Sequence, residues 1–145
     1  MNKSLAKLLS SAVVLGSIFF SLQTTASPQD WQRIKRPIPA TDGKANPIGS
    51  YSNGCIIGAE PLPYKGEGYQ VIRMNKNRYY GHPDMIAYLQ RLGQKAKSAG
   101  LPTMLVGDIA MPGGGRFLTG HASHQMGLDA DIWLRMGTMT DSEAL

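Results

Sequence analysis

The stretch HPDMIAYLQRLGQKAKSAG, His82 to Gly100, constrains the fold most, because it is the clearest helix in the chain. Pro83 suits a first turn, whose N–H groups lack intrahelical partners, and Asp84 complements the positive end of the helix dipole. Ile86, Leu89, Leu92 and Ala96 recur at helical spacing, and Gly100 sits where a C-terminal cap belongs. A helix with one apolar face must pack on something, and the chain offers three strand candidates to receive it. Gln70–Met74 (QVIRM) lies between the turn-forming KGEG and NKN, Thr103–Val106 follows Leu101-Pro102, and Asp129–Leu134 (DADIWL) comes last. With few crossover helices, the order predicts an α+β fold: a small antiparallel β-sheet with flanking helices. From Ser27 to about Ser52, Pro28, Pro37, Pro39, Gly43, Pro47 and Gly49 predict an irregular arm laid on the domain.

The N-terminus reads as an export signal. In residues 1–26, Lys3 and Lys7 precede an apolar run, Leu8 to Leu22, and Thr24-Thr25-Ala26 supplies small residues, so cleavage is expected after Ala26. A spanning helix wants about 20 apolar residues, so no membrane span is expected in the mature form. Removing two lysines from a chain of net charge +5 leaves +3 for residues 27–145, the expected domain. The remaining positive residues are scattered, apart from RIKR at Arg33–Arg36, and no basic stripe interleaved with aromatics marks a nucleic-acid groove. A mildly basic exported chain suits an anionic wall polymer or membrane surface. Cys55 is the single cysteine. It is either a buried free thiol or half of a disulfide whose partner lies beyond the residues shown. Asp141 and SEAL resemble the opening turn of another helix, so the domain is expected to be truncated at its C-terminus.

The chemistry concentrates in GHASHQMGLDADIW, Gly120 to Trp133, with two histidines and two aspartates. His124 and Asp131 flank Gly127, whose freedom permits a tight reversal that would bring imidazole and carboxylate to one point. Alternation along a strand would set Asp129, Asp131 and Trp133 on a polar face and Ala130, Ile132 and Leu134 on the core. A catalytic zinc takes three protein ligands and leaves one position open. His121 is third by count, although three-residue spacing outside a helix does not compel His121 and His124 to converge. The preceding Gly113-Gly114-Gly115 lacks the Lys-Ser/Thr ending of a P-loop and reads as a conformational device. It could present Arg116 to a substrate carboxylate or an oxyanion, or leave it simply solvated. His82, ahead of a proline and a helix, reads as a structural histidine.

Five blocks in order, SNGCIIGAE, YQVIR, RYYGHPDMIAYLQRL, VGDIAMPGGGRF and GHASHQMGLDADIW, resemble the penicillin-insensitive murein endopeptidases. These belong to a wider group of zinc peptidases that includes lysostaphin, the D-alanyl-D-alanine metallopeptidases and the hedgehog fold. The resemblance runs from about Trp31 to Trp133. It implies a hedgehog-like or D-Ala-D-Ala-peptidase-like fold and a periplasmic zinc enzyme that cleaves the D-alanyl–meso-diaminopimelyl cross-links of peptidoglycan. By position, His124 and Asp131 match two zinc ligands of the family, and His121 matches a ligand of an additional zinc. The family also carries a downstream His-x-His and a cysteine that pairs with the position of Cys55. No histidine follows His124 here, so the third ligand, a catalytic histidine and the disulfide partner are expected beyond Leu145.

Two other readings stand beside this one: a noncatalytic wall-binding or zinc-binding module, and a zinc carboxypeptidase acting on D-alanyl-D-alanine termini. The sequence leaves homo-oligomer formation open.

Overall fold

The computed structural model describes residues 39–145. The expected signal segment, the RIKR run and the first part of the expected arm lie outside the described residues.

A hairpin comes first. Strands β1 (Asn46–Ser50) and β2 (Asn53–Ile57) pair antiparallel around the two-residue turn Tyr51-Ser52. This corrects the expectation of an irregular arm through Ser52. Pro47 is tolerated because a two-stranded ribbon consists of edges. A Cβ on Gly49 would stand 2.3 Å from the Asn53 carbonyl oxygen, so glycine there is what lets the strands close. The residues that suggested an irregular arm include those the hairpin needs.

Next come β3 (Glu60–Pro61), β4 (Lys65–Gly66), β5 (Tyr69–Val71), β6 (Tyr80–Gly81), helix α1 (Pro83–Ser98) and β7 (Met104–Val106). β3 pairs with β6 and β4 with β5, both antiparallel, whereas β5 and β7 pair parallel. The parallel pair departs from the antiparallel expectation for a topological reason: α1 lies between β5 and β7 in sequence, and a helical crossover returns the chain in the same direction. The whole is α+β, with a single α-helix among the described residues.

The helix begins and ends as its sequence predicts. His82 caps it, its Nδ1 accepting a bond from the Asp84 N–H at 3.2 Å, and Gly100 takes φ +72° just past the end. Ile86 and Leu89 are buried, while Leu92 and Ala96 are half-buried. Gly93 is buried too, because the β4–β5 turn approaches so closely that a Cβ would lie 2.5 Å from the Glu67 carbonyl oxygen. Leu62, Tyr69, Val71, Ile86, Leu89, Met104, Val106 and Ile109 form one core between helix and sheet. Each such side chain contributes about 1.5–3 kcal/mol on burial.

Two strand expectations shorten. The Gln70–Met74 candidate starts at Tyr69 and stops at Val71, because Arg73 and Asn77 take left-handed backbone on either side of a 3-10 turn, Met74–Lys76. The Asp129–Leu134 candidate keeps one bridge, Val106 to Ile132. Three backbone bonds still lay it along β7: Gly107 N–H to Asp131 O (2.8 Å), Asp131 N–H to Asp108 O (2.9 Å) and Trp133 N–H to Leu105 O (3.0 Å). Ala130 packs on the core as alternation predicts. Ile132 and Leu134 do not, being 38% and 100% exposed, because a segment touching its neighbour over so few residues has no ladder holding it onto the core. Among the described residues, no helix is long and apolar enough to cross a membrane.

Candidate metal centre

The structure brings His121, His124 and Asp131 to one place. Their ligand atoms lie within 4.8 Å of one another. His121 Nδ1 is 3.1 Å from His124 Nε2, 3.2 Å separates His121 Nδ1 from Asp131 Oδ2, and 3.4 Å separates His124 Nε2 from Asp131 Oδ1. The convergence of His121 with His124, which spacing alone did not compel, comes from the backbone. Gly120 takes φ +100° and His124 itself takes φ +70°, a left-handed conformation that costs a non-glycine residue about 1–2 kcal/mol. Such strain persists only where surrounding bonds over-determine it.

Gln125 supplies those bonds. It is buried, and its side chain is satisfied at both ends: Oε1 accepts from Gly54 N–H at 3.1 Å, and Nε2 donates to Ser52 O at 2.8 Å and Ala122 O at 2.7 Å. The site loop is thereby pinned to the β1–β2 hairpin. The triple glycine seals the same seam. Gly114, at φ +69°, passes so close that a Cβ would lie 2.2 Å from the Gln125 carbonyl oxygen and 2.9 Å from Ile56 N, so its role is conformational, as the sequence suggested. Gly127, at φ +65°, makes the reversal toward Asp131, and its carbonyl accepts the His82 N–H at 2.9 Å.

Beneath the ligands lies a buried polar layer. The His124 ring stacks on Phe117, with centroids 5.6 Å apart and planes 14° from parallel. The Arg78 guanidinium sits 3.9 Å from the centre of the Phe117 ring. Arg78 is in turn held by Asp108 Oδ2 at 2.9 Å and by the Thr119 carbonyl at 3.0 Å. Asp108 is buried and has Arg73 as a second cation at 3.4 Å.

His124 is 2% exposed, whereas the His121 and Asp131 side chains are 52% and 34% exposed, so the cluster opens on one side only. His124 Nδ1 is buried without a well-aligned hydrogen bond, although Asp129 Oδ2 lies 2.8 Å from it. At that distance, but out of line with the ring N–H, the Asp129 carboxylate acts on the imidazole as a charge and not as an acceptor of good geometry.

Arg116 is exposed and forms no ion pair among the described residues; its neighbour Phe117 is the one turned inward to the site. His82, read from the sequence as a structural histidine, serves as the helix cap. Cys55 is half-buried and free, and a chain with one cysteine forms no internal disulfide. Gln125, Phe117, Arg78 and Asp108 were not singled out in the sequence. Asp108 carried a signal, a carboxylate directly after the buried run of β7, which calls for a buried cation nearby.

The donor set fits zinc. Zn–N and Zn–O bonds of about 2.0–2.2 Å at tetrahedral angles put ligand atoms about 3.3–3.6 Å apart. The closest approaches of 3.1, 3.2 and 3.4 Å lie at or just under that spacing, the two to Asp131 being made by different carboxylate oxygens, while donor atoms taken one per residue lie within 4.8 Å of one another.

Residues 47–145 match the family described as penicillin-insensitive murein endopeptidase. Over all 145 residues the chain is 76% identical to the penicillin-insensitive murein endopeptidase of Haemophilus influenzae, covering 49% of that protein. Over 134 residues, 92% of the chain, it is 48% identical to the protein of the same name from Salmonella paratyphi B, covering 47% of it. The chain thus spans about half the length of these curated relatives. The match covers more than half of the chain and includes the entire histidine and aspartate cluster, and the chain belongs to the penicillin-insensitive murein endopeptidase family.

Proposed function

We propose that this chain carries part of the active site of a zinc-dependent murein endopeptidase, exported to the periplasm by residues 1–26, that hydrolyses D-alanyl–meso-diaminopimelyl amide cross-links in peptidoglycan. The observation that carries the reading is the convergence of His121, His124 and Asp131 at metal-ligand spacing. The names of the relatives support murein as the substrate. His124 and Asp131 are the first two ligands. The resemblance gave His121 to an additional zinc, but its nearness to His124 Nε2 favours a share in the same ion.

Zinc held there would supply Lewis acidity toward the scissile carbonyl and the attacking water. The chain's own residues supply the rest. His124, buried on Phe117, fixes the donor geometry from below, while the exposed sides of His121 and Asp131 leave room for a polymeric substrate to approach. Arg116, exposed at the end of the glycine loop, is the candidate contact for a substrate carboxylate.

The test uses the full-length protein and purified cross-linked muropeptide dimers. The proposal expects conversion to monomers that stops with a chelator and returns with zinc. Cleavage indifferent to chelation would overturn the metal reading, and release of free D-alanine without loss of dimers would identify a carboxypeptidase instead.

A further inference from the structure

We propose that Arg78, a residue remote in sequence from the histidines and aspartates, is a positioning residue that sets all three donors of the metal cluster at once. Four contacts carry this, and the inference rests on the metal reading above. The Arg78 guanidinium lies over Phe117, whose other neighbour in the stack is the His124 ring. Nη2 donates to the carbonyl of Thr119, two residues before His121. Nη1 donates to Asp108 Oδ2, and the carbonyl of that same Asp108 accepts the Asp131 N–H at 2.9 Å. The Arg78 carbonyl also accepts the Ile109 N–H at 2.6 Å, which fixes the strap that carries Asp108. One planar cation therefore touches a direct support of His121, of His124 and of Asp131.

Burial makes this arrangement stiff. Arg78 and Asp108 are 8% and 2% exposed, so neither group can exchange its partner for water without a large desolvation cost. A guanidinium suits the task where an ammonium does not, since it presents a flat face to the aromatic ring while its in-plane N–H groups bind two acceptors in different directions. Supporting groups of this kind typically govern metal affinity by 10–100-fold.

The test measures cobalt and zinc binding by the full chain in wild-type, Arg78→Lys, Phe117→Leu and Phe117→Tyr forms, with folding monitored by circular dichroism. Cobalt reports the geometry of its ligands through its visible absorption spectrum. The expected result is a loss of affinity of about 10–100-fold in Arg78→Lys and Phe117→Leu, with an altered cobalt spectrum, and near wild-type behaviour in Phe117→Tyr, which keeps the ring. Phe117→Leu serves alone if Arg78→Lys does not fold. Affinity within about twofold of wild type in either folded variant would overturn the proposal. So would weaker binding with an unchanged spectrum, which marks a general loss of stability. If the wild type itself takes up no stoichiometric metal, the metal reading fails and takes this inference with it.

Discussion

Replacing Gly114 by alanine perturbs the seam between the site loop and the hairpin with a single methyl group, and a second glycine provides the control. Gly114 and Gly100 have nearly the same left-handed backbone, φ +69° and +72°, so alanine pays about 1–2 kcal/mol of conformational strain at either position. Their surroundings differ. A Cβ at Gly100 meets nothing within 4 Å, whereas at Gly114 it meets the Gln125 carbonyl at 2.2 Å, Ile56 N at 2.9 Å and Cys55 Cα at 3.1 Å. All three are backbone atoms, which cannot swing aside as a side chain would. The loop must shift, and the bonds at risk are Gly115 N–H to Gln125 O at 3.0 Å and Ile56 N–H to Gly113 O at 3.1 Å. Each is worth about 1 kcal/mol net. Gly100→Ala is therefore expected to cost about 1–2 kcal/mol and Gly114→Ala about 3–4 kcal/mol, the latter lowering the thermal midpoint by more than 10 °C at roughly 4–8 °C per kcal/mol. Denaturant unfolding of the two variants side by side checks the difference. Zinc competition with a chelator adds a second readout, because a shift of Gln125 displaces His124, and only Gly114→Ala should weaken the metal. Equal destabilisation of the two variants, with metal affinity unaltered, would refute the reasoning about the seam.

Further outcomes follow from the same contacts. Gln125→Leu strands the Gly54 N–H and the Ser52 and Ala122 carbonyls, and is expected to cost about 2–4 kcal/mol in chemical denaturation. His82→Ala removes the α1 cap, costing about 1 kcal/mol, and leaves zinc affinity unchanged by chelator competition; a loss of metal would return His82 to the ligand set. Leu89→Ala, at a buried core position, should cost about 2–5 kcal/mol in thermal unfolding. The hydrogen bond with Tyr64, then burial, raises the Tyr79 phenol above its ordinary 10.0. That contribution is complete below pH 10.0 and is lost as pH rises beyond it, so alkaline melting should begin above that pH and be weaker in Tyr64→Phe.

The helix was legible because its signals are local: a proline and an aspartate at one end, apolar residues at helical spacing, a glycine at the other. The reciprocal bonds of Thr140 and Glu143, each accepting from the other's backbone N–H, likewise agree with reading the last residues as the start of a helical turn. The β1–β2 hairpin was not legible, since its glycines and proline were counted against a strand although they permit the close pairing. The Asp129–Leu134 strand was overread because alternation says which residues could face a core, and not how many bonds hold them there. In the site, His124, Asp131 and the turn at Gly127 followed from the motif. The approach of His121 depends on positive φ at Gly120 and His124, and the Arg78–Asp108 pair joins residues 30 apart in sequence, so neither leaves a periodic trace.

The most direct test of the central claim is a zinc titration of the full-length protein and of its His121→Ala, His124→Ala and Asp131→Ala variants, read by calorimetry. The account predicts one tightly held zinc per wild-type chain and its loss or severe weakening in each variant. Tight zinc retained in all three would contradict the cluster as the metal centre.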